Sequence, residues 1–317
     1  MELSPHVLKF FAILEEAGAP PLNELSYDEA RQGYRRMSEM FGGPTIDMAH
    51  VEDFVAEGPV GPIPLRQYRP DGLPDADAPA LIYLHGGGGV IGDLESHDKV
   101  CRQLACRAQC AVMAVDYRLA PEHPAPAPSN DVISAFRWIV ANASTLGIDQ
   151  DRIAVGGDSA GGCLSAVVAI AARDEGIPLR CQILIYPGLD LRESVWDYPS
   201  RVRNGNVPPL TLEAMRYFVD SYLNDVSVAD DWRVSPIVAG DMAGLCPALV
   251  ILAGFDPLLD EGGLYADRLE AAGVAVTRHV FPSMIHGFIE LGGILPETDE
   301  ALDMIAQTLR QRLDCGT

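Results

Sequence analysis

The stretch "RIAVGGDSAGGCLSAVVAIAARDEG", Arg152–Gly176, decides the fold. Its opening is a short apolar run that reads as a strand, and from Ala160 it continues as an apolar helix. Between them, Gly157-Asp158-Ser159-Ala160-Gly161 fits the pattern G-x-S-x-G. On a very tight strand-to-helix turn the residues two before and two after the serine come close together, so both lack side chains. The serine's own backbone is strained there, which pushes its Oγ out above the sheet. The helix that follows points its N-terminus at the same spot and favours negative charge there.

Working outward, the same texture holds from Ala80 onward. The strands "ALIYLH", "AVMAVDY", "RIAVGG", "CQILIYP", "ALVILAG" and "VTRHVF" alternate with helical segments. Continuous apolar strands in that order predict an α/β fold with a mostly parallel sheet buried on both faces. Before it, "VEDFVAEG" and "IPLRQYRP" alternate and are joined by a Pro/Gly turn, which predicts an antiparallel hairpin. The first fifty residues read as two helices. Val7, Phe11 and Leu14 form a helical stripe that Gly18 and Pro20 stop, and Ser26 with Glu29 forms a capping box for the second helix. Some sixty residues, Pro187 to Pro247, separate two strands and include a helix near Leu212 to Tyr222. An insertion after a strand's carboxyl end is expected to sit over the edge where open α/β sheets bind ligands.

Bulk properties narrow the function. A chain of 317 residues can bury one large α/β core or two ordinary ones, and its composition, nearly half apolar, is that of a globular protein. A formal charge of −22 argues against nucleic acid and against stable association with anionic membranes. The one dense basic cluster, Arg31, Arg35 and Arg36, lies between Glu29 and Glu39 and reads as a solvated helix face. The N-terminus does not read as an export signal, because its short apolar stretch contains Lys9 and carries acids on both sides. Seven cysteines, an odd number, are then expected to be reduced thiols in the cytoplasm. Cys101, Cys106 and Cys110 cluster in sequence, but no histidine pair follows at metal spacing, so no metal site is expected.

"LIYLHGGGGVIGDLESHD", Leu81–Asp98, poses a choice between a phosphate cradle and a hole for a transient oxyanion. Gly87, Gly89 and Gly92 satisfy G-x-G-x-x-G, and Asp116 ends the next strand where a ribose-binding acid would stand. That is the pattern of a nucleotide-dependent oxidoreductase. Three features weaken it: the unit follows a hairpin and two helices, His85 has no place in the fingerprint, and Asp116 runs into the proline-dense "YRLAPEHPAPAP".

Ser159 as a nucleophile needs a base, and histidine is the usual choice. Of the seven, His6, His50, His85, His97 and His123 precede the serine. In an α/β-hydrolase the chain order is serine, acid, histidine, which leaves His279 within a strand and His286 in a loop just past the last one. His286 is the candidate base. Among acids after a strand, "ALVILAGFDPLLDEG" offers Asp256, Asp260 and Glu261. Asp260 and Glu261 stand where a helix starts and read as its caps, so Asp256 is the candidate orienter of His286. An oxyanion hole uses the N–H after the nucleophile, here Ala160, together with donors from an HGGG-type loop. His85-Gly86-Gly87-Gly88 is that tetrapeptide.

HGGG, "DYRLAPEHPAPAP", GDSAGG, "DPLLDEG" and "HGF", in this order and spacing, resemble the bacterial branch of the hormone-sensitive lipase family of esterases, from about Leu81 to Leu291. The resemblance implies an α/β-hydrolase core with a helical cap, residues 1–50 and 188–247 supplying the cap and 51–187 and 248–317 the core. It implies a serine carboxylesterase acting on small esters of short to medium acyl chains, without a cofactor. It places Ser159, Asp256 and His286 at the triad and Gly87, Gly88 and Ala160 at the oxyanion hole. A homodimer is also implied. A non-catalytic small-molecule receptor on the same fold is the alternative, though such proteins typically lose a triad member. The family commonly carries a bulky aromatic after HGGG, where this chain has Gly89. The missing side chain is expected to widen the pocket or loosen the loop.

Overall fold

The computed structural model describes residues 2–18 and 20–315. Its sheet is built from β1 (His50–Glu57), β2 (Pro62–Arg69), β3 (Ala78–Leu84), β4 (Ala111–Val115), β5 (Ile148–Asp158), β6 (Gln182–Ile185), β7 (Ala248–Phe255) and β8 (Val276–Ile285). The order across the sheet is β1-β2-β4-β3-β5-β6-β7-β8. The expected hairpin is β1 with β2, and β2 also runs antiparallel to β4. Every other pairing is parallel. This is the mostly parallel sheet expected from the succession of strands, in the α/β-hydrolase architecture that the resemblance implies. The unbroken apolar strands β3, β4 and β6 are buried along their whole length, as a sheet covered on both faces requires.

Helices cover the two faces. On one, Cys101 and Leu104 of α3 (Asp98–Ala108) pack with Ile305 and Leu309 of the C-terminal helix (Pro296–Arg312) against Leu81 and Tyr83. On the other, Phe136 of α4 (Ala127–Ala141) and Leu164 and Val168 of α5 (Ala160–Glu175) cover Ile82, Leu84 and Val155. There too Tyr265 and Leu269 of Leu259–Ala271 cover Leu184 and Val250. Strand β8 runs through Pro282 to Ile285, further than the expected "VTRHVF". A proline that cannot donate to the ladder is tolerated because β8 is an edge strand.

Two segments lie outside these layers. At the N-terminus are α1 (Pro5–Ala17) and α2 (Tyr27–Phe41). The capping box holds: Ser26 accepts from the Glu29 amide, and Glu29 accepts from the Ser26 amide at 2.9 Å. The α1 stripe is shifted from expectation. Val7 and Phe10 are the fully buried pair and join the core, whereas Phe11 and Leu14 are partly buried. Burying Phe10 contributes on the order of 2–3 kcal/mol toward docking this helix. Between β6 and β7 lie α6 (Pro199–Asn204) and α7 (Leu212–Tyr222), the latter at the expected residues. Helix α8 is Leu259–Ala271 and α9 is Pro296–Arg312.

The basic cluster on α2 is not one solvated face. Arg31 is half-buried and donates to the carbonyls of Val90 and Ala120, each at 3.0 Å, and to Glu122, while Arg35 pairs with Asp93. The spacing that looked like a surface stripe is instead partly spent on fastening α2 to the glycine loop.

Candidate active site

Strand order reverses at β3, whose neighbours are β4 and β5. The loops after β3 and β5 therefore meet at a topological switch point. Leu84 stands level with Gly157, so the glycines after His85 arrive beside the turn that carries Ser159. Ser159 has φ +54° and ψ −118°, the strained backbone that the motif predicts for a nucleophile. The flanking glycines are obligatory for space. A Cβ on Gly157 would lie 2.2 Å from the Leu84 carbonyl oxygen, and one on Gly161 would lie 1.9 Å from it.

Side chains distant in sequence converge here. Ser159 Oγ lies 2.8 Å from His286 Nε2, and His286 Nδ1 lies 2.8 Å from Asp256 Oδ2. Asp256 is fully buried, and its other oxygen accepts from the Leu258 amide at 2.8 Å. Asn204 on α6 donates to the carbonyls of Gly254 and Asp256, which braces the turn after β7. The imidazole feels opposing influences. Burial is the largest and opposes its charge, but the Asp256 carboxylate, by its charge and its hydrogen bond, outweighs it and raises the His286 pKa. His279 sits in edge strand β8 against Phe281, away from this group.

The oxyanion-loop candidates lie beside the turn that carries Ser159. Gly87 and Gly88 have φ of +105° and +64°, and among the described residues their amides bond to no backbone carbonyl or side chain. Ala160 opens α5, so its N–H has no partner within the helix. Two aromatic contacts hold the base of the loop. His85 stacks on Tyr117 with centroids 4.2 Å apart, and Tyr117 Oη donates to the His85 carbonyl at 2.7 Å. Burial, assisted by the charge of His97, depresses His85 to about 4, so its ring is neutral and supports the loop without a charge.

A family model described as alpha/beta hydrolase fold matches residues 81–290. The chain belongs to this family. It is 40% identical over 292 residues, covering 90% of both chains, to Esterase LipI of Mycobacterium tuberculosis (strain ATCC 25618 / H37Rv). It is 37% identical over 321 residues, covering 99% of this chain and all of the relative, to the ethyl acetate hydrolase of Pseudomonas putida. Among solved structures, an ester-hydrolase from the metagenome of Lake Arreo, complexed with a derivative of bipyridine phosphonate, matches with a TM-score of 0.94. It is 41% identical, and the match covers 98% of this chain and 99% of that one. Within the α/β-hydrolase family the chain belongs to the hormone-sensitive-lipase-like esterases that its motifs resemble.

The nucleophile turn is held in place by residues to which the sequence alone assigns no role. Asp158 is buried, and its Oδ1 accepts from Tyr83 Oη at 2.8 Å and the Gly86 amide at 3.1 Å. His97 Nε2 lies 3.2 Å from the same oxygen and 3.8 Å from Glu290 Oε1, and Tyr34 of α2 donates to Glu290 at 2.6 Å. Burial is the largest influence on His97 and lowers its pKa, but the Asp158 and Glu290 carboxylates reverse this and raise it to about 9. Burial is the largest influence on Asp158 and drives it up, but the charge and hydrogen bond of His97 together with the Tyr83 hydrogen bond lower it overall, so it stays ionised. One signal was present, since Asp158 adjoins the serine in the motif itself. His97, Asp158 and Glu290 are close enough to ligate a metal ion, with ligand atoms within 4.8 Å of one another. Asp158 Oδ1 serves Tyr83 and Gly86 and Glu290 Oε1 serves Tyr34, while Asp158 Oδ2 is buried without a hydrogen-bond partner among the described residues; the three residues form an ion network that pins the first glycine of the loop.

Two further expectations change. Asp260 and Glu261 do not cap α8. Asp260 accepts from the Ser200 amide at 2.8 Å, and buried Glu261 pairs with Arg201 and accepts from the Leu189 amide at 2.6 Å. Both acids fasten the 188–247 segment to α8. The place beside Gly89 is not open either, because the ring of Tyr222 fills it. Asp116, the candidate ribose ligand, is half-buried after β4 beside Asp93, and burial raises it to about 6.

Proposed function

We propose that the protein hydrolyses small carboxylic esters through an acyl-enzyme on Ser159. The observation that carries this reading is the continuous Ser159–His286–Asp256 hydrogen-bonded chain, with both links at 2.8 Å. Relatives named as esterases, at 37–40% identity over most of the chain, favour neither the receptor nor the oxidoreductase reading. Ser159 Oγ attacks the ester carbonyl as His286 Nε2 takes its proton. The new negative charge falls on an oxygen facing the amides of Gly87, Gly88 and Ala160, each donor being worth about a hundredfold or more in rate. His286 then gives its proton to the leaving alcohol, and Asp256 stabilises the transient imidazolium. Water, deprotonated by the same imidazole, releases the acid and restores Ser159.

The chemistry lies at the floor of a cavity of about 1140 Å³. Phe10, Leu14 and Met37 from the N-terminal helices and Met215 and Phe218 from α7 are among its lining residues. This apolar shape supports a cap formed by residues 1–50 and 188–247 and substrates with short to medium acyl chains. In Ser159→Ala, kcat toward p-nitrophenyl butyrate is expected to fall at least about 10⁴-fold with an unchanged circular dichroism spectrum. Retained turnover in that variant would end the reading. Among the described residues no helix is long and apolar enough to cross a membrane. A cytoplasmic location is proposed from the seven free thiols, and a homodimer from the family resemblance. Cell fractionation and sedimentation velocity check the two, and recovery outside the cytoplasm or as a monomer would refute them.

A further inference from the structure

Helix α7 lays one face directly on the glycine loop. Phe218 and Tyr222 stand four residues apart, so they share that face. A Cβ on Gly88 would lie 2.4 Å from Phe218 Cδ1 and 2.5 Å from its Cγ. One on Gly89 would lie 2.6 Å from Tyr222 Cε2 and 2.7 Å from its Cδ2. The two rings occupy the volume that loop side chains would otherwise take. Backbone bonds fix this seating from both sides. The Gly89 carbonyl accepts from the Ala120 amide at 2.8 Å, and the Tyr222 carbonyl accepts from the Ala125 amide at 2.9 Å. Both rings border the cavity that holds Ser159 and His286.

We infer that Phe218 and Tyr222 are specificity-determining residues, their rings forming the wall over the glycine loop that limits how bulky an ester group fits beside the reacting carbonyl. The inference rests on the esterase reading above. An ester attacked by Ser159 places its carbonyl oxygen at the loop amides, so one of its two flanking groups meets this wall. The wall is carried by a helix of the 188–247 segment and not by the loop itself. Its size therefore changes by substitution on α7 without touching the nucleophile, the base or the amides.

The test uses the full-length chain and its Phe218→Ala, Phe218→Leu, Tyr222→Ala and Tyr222→Phe variants. One substrate series grades acyl bulk, from p-nitrophenyl acetate to the cyclohexanecarboxylate. The other grades the alcohol, from methyl to benzyl acetate. In Phe218→Ala and Tyr222→Ala the ratio of kcat/KM for the bulkiest ester to that for the smallest is expected to rise roughly tenfold in at least one series. Phe218→Leu is expected to give a smaller rise, and Tyr222→Phe, which keeps the ring, to leave both ratios unchanged. The inference is overturned if folded Phe218→Ala keeps both ratios, including the case where kcat falls evenly on every ester, which would make the rings mere braces for the loop. Should Tyr222→Ala fail to fold, the two Phe218 variants decide alone. A wild-type chain that turns over no ester overturns the esterase reading and this inference with it. Normal turnover with unmoved ratios overturns only the inference.

Discussion

At Asp158, one buried carboxylate oxygen serves Tyr83, the Gly86 amide and His97 at once. A carboxylate stripped of water needs a charged partner or a full set of hydrogen bonds. His97 is that partner, and Ser96 Oγ, 3.0 Å from its Nδ1, completes the imidazolium's bonds. The consequence for stability has a definite sign. The His97 pKa is raised from 6.5 to about 9 in the folded chain, so its contribution is whole below pH 6.5 and is lost as the pH rises through about 9. Glu290 acts in the same direction at lower pH. Burial raises it from 4.5 to about 7, so folding weakens as it is forced to ionise. Thermal unfolding scans are expected to show a falling Tm between pH 7 and 10, with a shallower fall in His97→Gln. An equal slope in that variant would mean that the imidazole is not charged in the fold.

Elements are joined here by side chains that do not look structural in sequence. Helix α6 is tied to α8 through buried Arg201, which pairs with buried Glu261, and through the Ser200 amide, which donates to Asp260 at 2.8 Å. Removing one member of a buried pair leaves the other without compensation and costs about 3–5 kcal/mol. Arg201→Met is therefore expected to lose about that much in urea unfolding at pH 8. The loss should be smaller at pH 5, because burial already lifts Glu261 to about 7 and the orphaned carboxyl can take a proton. An undiminished unfolding free energy at pH 8 would show that the pair does not hold α6. Because Asn204 of the same helix braces the turn carrying Asp256, kcat is expected to fall along with stability.

Across the whole molecule, what could be read in the sequence follows from the range of the forces involved. The succession of strands along the chain, the hairpin and α7 were legible because periodicity and turn chemistry act within a few residues. Ser159, Asp256 and His286 were legible because each stands at a strand's carboxyl end, where a parallel sheet must deliver it to one rim. Contacts between segments were not. Arg31 looked like a surface charge because nothing in its own helix reveals that Val90 and Ala120 offer carbonyls to it. Asp260 and Glu261 looked like caps because their partners, Ser200 and Arg201, lie some sixty residues away. Gly89 looked like a gap because the ring that fills it arrives from α7.

All of this depends on Ser159 being the group that becomes acylated. Intact-mass and peptide mass spectrometry after treatment with an alkyl p-nitrophenyl phosphonate measures that directly. A single phosphonyl adduct is expected on the peptide containing Ser159, appearing in step with loss of esterase activity, and no adduct in Ser159→Ala. Complete inactivation with Ser159 unmodified, or full modification of Ser159 with turnover intact, would contradict it.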